Sequence, residues 1–202
     1  MEKPIAKVEV KIYKIKYMRI AFLKFLFATI VLIYTLPLKA QVTEPDFVGE
    51  AFMIKVDSSY SQLDKSIGGF TSGMSFSSNS WNALSLEISG GKSQTRISEG
   101  TPLQLIIKAV DNNSDPLSII NIYKFNSKKN KRTVLISKDN SGTLMKSRTN
   151  SKDLVTFGGK KFKTSSYLIT LKDLKKGEYG IVVTNPNSND EKRVVVSSFG
   201  ID

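Results

Sequence analysis

The sequence predicts an all-β protein, a single antiparallel β-sandwich of about nine strands preceded by an N-terminal hydrophobic segment. Three observations predict it. Beyond residue 46 apolar side chains recur at alternate positions, and no stretch carries a sustained helical stripe. Clusters of Asn, Asp, Gly, Pro and Ser interrupt the alternation at regular intervals, as the turns of a sandwich or barrel do. Late in the chain, LKDLKKGEYGIVV (171–183) sets Leu174, Gly177 and Tyr179 where a tyrosine corner needs them.

Residues 1–40 stand apart from this pattern. Read from Met18, MRIAFLK supplies a basic start with Arg19 and Lys24, Phe25 to Leu38 form an apolar run, and Ala40 offers a small residue before Gln41. Those are the three parts of a signal peptide cleaved after Ala40, which predicts an exported protein of the periplasm or cell envelope. A second outcome uses the same residues: Ile20 to Leu38 would form a single-pass membrane anchor if Lys24 reached back to the interface. Leu38 suits a cleavage site less well than a smaller residue would, and Pro37 suits both outcomes. Residues 1–17 are superfluous if the chain starts at Met18 and form a long n-region with five Lys if it starts at Met1, so both starts stand. QVTEPD (41–46) reads as a short linker, which leaves 47–202 as one β-sandwich domain.

The strands follow in order. AFMIKV (51–56) opens the series; WNALSLEI (81–88) puts Leu84, Leu86 and Ile88 on one face; and PLQLIIKAV (102–110) does the same with Leu103, Leu105, Ile107 and Ala109. SIINIYKF (118–125) is apolar on both faces, as a central strand would be. TVLIS (133–137), LVTF (154–157), SYLITL (166–171), YGIVVT (179–184) and RVVVSSFGI (193–201) complete the set. Turn chemistry places loops at DNNSDP (111–116), NSKKNK (126–131), KDNSG (138–142), FGGKK (157–161), KKG (175–177) and NPNSND (185–190). SIGGFTSGMSFSSNSW (66–81) shows no clear period.

At the 171–183 segment the fold class narrows to an Ig-like sandwich. Tyr179 shares the alternating face of Ile181 and Val183, so its hydroxyl is expected to bond back to the preceding arch, with Gly177 at positive φ. GKSQTRI (91–97), DNNSDP, IYKF (122–125), LKKGEYGIVV (174–183) and FGID (199–202) together resemble a group of exported β-rich proteins of Bacteroidota-type bacteria. No activity attaches to that group. The resemblance implies export and a late GEYG strand, and no site residue.

Composition excludes several chemistries. With neither Cys nor His in 202 residues, thiol nucleophiles, disulfides, Ser-His-Asp triads and Cys/His zinc sites cannot be built. The formal net charge is +12, but eight basic and two acidic residues within 1–40 account for half of it. The domain itself is moderately basic, short of a nucleic-acid binder, and no specific nucleic-acid partner is expected.

Individual motifs reduce to turns. GGKS (90–93) lacks the earlier Gly of a phosphate loop, since Leu86 stands there, and Ser89 with Lys92 forms an S-x-x-K in a turn where catalysis needs a helix. Asp111, Asn113 and Asp115 begin like a calcium loop, but Pro116 replaces the turning Gly and Ile122 the bidentate Glu. We assign no catalytic, cofactor or metal-binding residue from the sequence.

Lysines crowd the turns. Lys128, Lys129, Lys131 and Arg132 in one turn and Lys160, Lys161 and Lys163 in another are expected to share a rim that attracts an anionic envelope polymer. Lys124, Lys172, Lys175 and Lys176 extend the same basic character. The function expected is therefore non-catalytic binding or scaffolding in the cell envelope. A carboxylate-dependent hydrolase is the enzymatic alternative, and contact with a membrane is expected only through an uncut N-terminal segment.

Overall fold

In the computed structural model the described residues are 17–19, 22–27, 43–75, 80–142, 145–150, 152–188 and 192–202. The apolar run after Phe27, and the expected cut between Ala40 and Gln41, lie outside them. Residues 17–19 and 22–27 are helical and exposed; among the described residues no helix is long and apolar enough to cross a membrane. Contacts divide the chain into Met1–Gln41 and Val42–Asp202, and the strands found among the described residues all lie in the second unit.

Thirteen strands form among the described residues: β1 (Ala51–Ile54), β2 (Tyr60–Gln62), β3 (Asp64–Ser75), β4 (Ser80–Ser89), β5 (Arg96–Ile97), β6 (Leu103–Lys108) and β7 (Ile120–Ser127), then β8 (Lys131–Gly142), β9 (Met145–Asn150), β10 (Gly158–Phe162), β11 (Ser166–Leu171), β12 (Gly177–Val183) and β13 (Arg193–Ile201). The protein is mostly β, as expected, in two sheets. One has five antiparallel strands in the order β10-β11-β6-β1-β2. The other runs β12-β7-β8-β4-β3-β13 and closes on itself through β12–β13 pairing into a six-stranded barrel. The two-residue β5 joins β13 in parallel, and β9 pairs with β8.

Period-two alternation builds both cores at once. In β7, Ile120 and Ile122 face the five-stranded sheet while Tyr123 and Phe125 face the barrel interior; in β12, Tyr179, Ile181 and Val183 point one way and Val182 the other. β13 divides likewise, with Phe199 and Ile201 on the shared side and Val196 inside the barrel. These three strands form a wall buried on both faces, which explains why SIINIYKF has no polar face. Leu103, Leu105, Ile107 and Ala109, on one face of the sequence, are all buried against that wall. Each fully buried aliphatic side chain contributes about 1.5–3 kcal/mol.

The departures from expectation have local causes. The Gly- and Ser-rich stretch after Leu63 becomes β3 because pairing with β13 on one side and β4 on the other supplies what its side chains lack. Gly68 faces the barrel interior, where a Cβ would stand 2.8 Å from a Leu86 methyl and 2.9 Å from one of Val196. KDNSG is no turn but the far end of β8, paired with β4 and β9. FGGKK is likewise part of an edge strand, β10. LVTF forms no strand; Leu154 makes one bridge to Tyr123, beside a stretch where β7 and β8 share only two residue pairs. A bulge in β8 at Ile136 shifts the β4 register between Leu84 and Ser85.

The expected linker is tied down from Thr43 onward. Glu44 accepts from the Ser165 N–H at 3.0 Å and pairs with Lys108 at 3.4 Å.

The tyrosine corner forms as the spacing predicts. The Tyr179 hydroxyl donates to the Lys175 carbonyl at 2.5 Å, and its buried ring stacks on Phe199 with centroids 5.3 Å apart. Gly177 has φ +153°, and Asp173 takes the left-handed conformation at +54°. Tyr179→Phe therefore loses one buried hydrogen bond and about 0.5–1.5 kcal/mol. Denaturant unfolding measures this, and an unchanged midpoint would mean that the arch holds without the hydroxyl.

Candidate functional site

One end of the barrel is closed by the segment between β4 and β5, and the polar side chains there come from four strands. The interior-facing positions of β3, β8 and β12 at that end are Asp64, Arg132 and Glu178. The chain turns sharply at Gly90, with φ +82°, and crosses the end through Ser93, Gln94 and Thr95. Ser93 donates its backbone N–H to Glu178 Oε2 at 2.8 Å and its hydroxyl to Asp64; that hydroxyl also lies 3.1 Å from the Ser198 carbonyl. Asp64 accepts further from the Gln94 N–H and from the Thr95 hydroxyl at 2.9 Å.

Two guanidinium groups complete the plug. Arg96 Nη1 donates to Glu178 Oε1 at 2.5 Å, while Nε and Nη2 hold both oxygens of Asp202 at 3.0 and 2.5 Å, a bidentate fork. Its flat group lies over Gly200, where a Cβ would sit 1.7 Å from Nη1. Arg132 is buried: Nε donates to the Gly90 carbonyl at 3.1 Å, and Nη1, with no hydrogen-bond partner, stands 3.6 Å from Glu178 Oε2.

This geometry makes a clamp. Burial pushes the Asp64 carboxyl up, but hydrogen bonds from Ser93, Thr95 and Gln94 outweigh it and hold the group below the usual range. Acid–base work by two carboxylates needs one of them raised and a gap for substrate between them. Here Ser93 fills that gap and bonds to both.

The opposite end is different. A recess of about 670 Å³ opens beside the β12–β13 connection, walled by Ile67, Phe70, Val182, Val194 and Val195 and rimmed by Thr184, Asn185 and Arg193. Its described lining contains no Asp or Glu.

The residues singled out from the sequence fall as follows. In GGKS, Gly90 serves the turn with its positive φ, and Gly91 serves packing, since a Cβ there would meet the Lys128 carbonyl oxygen at 2.3 Å. Ser89 ends β4, and Lys92 is exposed in the turn after it. Asp111 accepts from the Asn113 N–H, and Asp115 caps the helical turn Pro116–Ile119 through the Leu117 N–H at 2.8 Å, the Asx-turn chemistry of an ordinary loop. Among the described residues no three acidic side chains gather as a metal site would require.

The expected cationic rim is corrected. Lys128 and Lys129 lie at the plugged end of β7, whereas Lys160, Lys161 and Lys163 lie towards its other end: Gly159 packs on Pro116 at the start of β7, and the Lys163 carbonyl accepts from Asn112. β7 separates them by about 26 Å at strand rise. Arg132 is buried, and Lys131 is paired with Glu87 at 2.6 Å. Tertiary crossing, invisible in the spacing, decided this.

Sequence reasoning missed the clamp: Ser93 and Arg96 lie in GKSQTRI, Glu178 in GEYG, and Gly200 and Asp202 in FGID, whereas Asp64 lies in no motif singled out there and Arg132 only in the expected cationic rim. Compared with known proteins, the chain matches no family model, and neither a curated protein nor a solved structure is significantly similar to it.

Proposed function

We propose that the protein is an exported, non-catalytic binding or scaffolding protein of the cell envelope, built as an Ig-like sandwich whose larger sheet has curled closed. The observation that carries this reading is the locking of Asp64 and Glu178 by Ser93, Arg96 and Arg132, which removes the acid pair a carboxylate hydrolase would use. The recess at the other end supports it, being apolar with a hydrogen-bonding rim, the surface of a binder. The Tyr179 corner and the second sheet packed on β7, β12 and β13 support the Ig-like architecture.

Export follows from the basic start, apolar run and small residue before Gln41. The intact mass of protein recovered from its native envelope is expected to begin at Gln41. A mass that retains residues 18–40, with extraction only by detergent, would establish the single-pass anchor in its place.

A further inference from the structure

Lysines far apart in sequence meet at the plugged end of the barrel. Gly91 packs so tightly on the β7–β8 turn that a Cβ would stand 2.3 Å from the Lys128 carbonyl oxygen and 2.7 Å from that of Lys129, which brings Lys92 beside both. On the other flank, the Asp202 carboxyl is held below its usual range first by its hydrogen bonds with Arg96, which outweigh burial, then by the Arg96 charge, and last by the nearby charges of Lys176 and Lys92. Lys124 extends the arc, its Nζ 3.4 Å from where a Cβ on Gly177 would sit. Lys92, Lys128, Lys129 and Lys176 are exposed and Lys124 is half-buried.

The acids of this end neutralise them only in part. Asp64 and Glu178 face into the plug, Asp202 is engaged by Arg96, and Glu87 by Lys131; Glu99 is exposed nearby. Among the described residues no carboxylate lies within ion-pair distance of the five lysines. The neighbouring rings of Tyr123, Phe125 and Tyr179 are buried, so no platform is offered on which a nucleic-acid base could stack.

We propose that the plugged end is a docking face for an anionic polysaccharide, whose repeating carboxylate or phosphate groups lie along the arc from Lys128 through Lys92 to Lys176 and Lys124. The inference rests on the binding reading above and names its partner. Lysine suits the task, because a mobile point charge adapts to an irregular spacing of anions. Clustered cations bind a polyanion by releasing its condensed counterions, and the affinity falls steeply as salt rises.

The test is binding of the full chain, in mild detergent, to polygalacturonate, to phosphomannan and to duplex DNA across a salt series. The two glycans distinguish a carboxylate from a phosphate source. Binding to at least one glycan is expected, and the variant K92Q/K128Q/K129Q/K176Q is expected to weaken it at least about tenfold and to flatten its salt dependence. The opposite-end variant K160Q/K161Q/K163Q is expected to leave it unchanged.

The pairs K92Q/K176Q and K128Q/K129Q are measured separately, each expected to lower affinity about threefold, so a quadruple variant that fails to fold still leaves a decisive result. Absence of glycan binding at low salt, equal losses at the two ends, two silent pairs, or tighter binding to DNA would each overturn the proposal. Glycan length is followed in the same samples: shortening would end the non-catalytic reading while leaving the docking face in place.

Discussion

Glu178→Ala is expected to destabilise the domain by about 3–5 kcal/mol, the range for breaking a buried ion pair by removing one partner. The carboxylate is 5% exposed, Arg132 is 3% exposed, and Glu178 also receives the Ser93 N–H and one arm of Arg96. Its loss strands Arg132 as a buried charge and frees the segment that closes the barrel end. The measurement is the denaturant midpoint together with its slope. Replacing both partners by apolar residues, in E178L/R132M, is expected to recover much of the loss, because the penalty lies in the unpaired charge. A loss below about 1 kcal/mol for Glu178→Ala would place the pair in the class of solvated surface bridges and remove the clamp.

Phe199→Ala is expected to lower stability by about 3–5 kcal/mol, since it removes a fully buried ring from the layer between barrel and second sheet. The ring also stacks on Tyr179, so the corner loosens with it. Because β13 carries Phe199 and Ile201 on one face and Val196 on the other, both cores are expected to fail together in a single transition. Near-ultraviolet circular dichroism of the buried tyrosines, Tyr123 in the barrel and Tyr167 and Tyr179 in the shared layer, read against the far-ultraviolet signal, checks this. Separate midpoints would mean that the barrel stands without the second sheet.

Much of the β content was legible because side-chain pattern is a local property: in β4 and β6 every second residue announces a face before any partner is known, and in β7 and β12 a short apolar run between turn signals marks a strand buried on both faces. The Tyr179 corner was legible for the same reason, its acceptor lying only four residues away. Strands that draw their stability from neighbours left no such trace. β3 is rich in Gly and Ser, β10 is an exposed edge with two glycines, and the end of β8 reads as turn chemistry; each is a strand because another strand lies beside it.

The sequence by itself determined the chemistry this protein lacks, the alternation that makes it a β protein, and the local arch before Tyr179. Only the tertiary structure decided that one sheet closes into a barrel, that Asp64, Ser93, Arg96, Glu178 and Asp202 meet, and which lysines share an end. The physical reason is range. Side-chain period and turn propensity act over a few residues, whereas ring closure and charge pairing depend on which strands lie side by side. Ser93 and Glu178 are 85 residues apart and Arg96 and Asp202 are 106 apart, so nothing local to either partner records the contact.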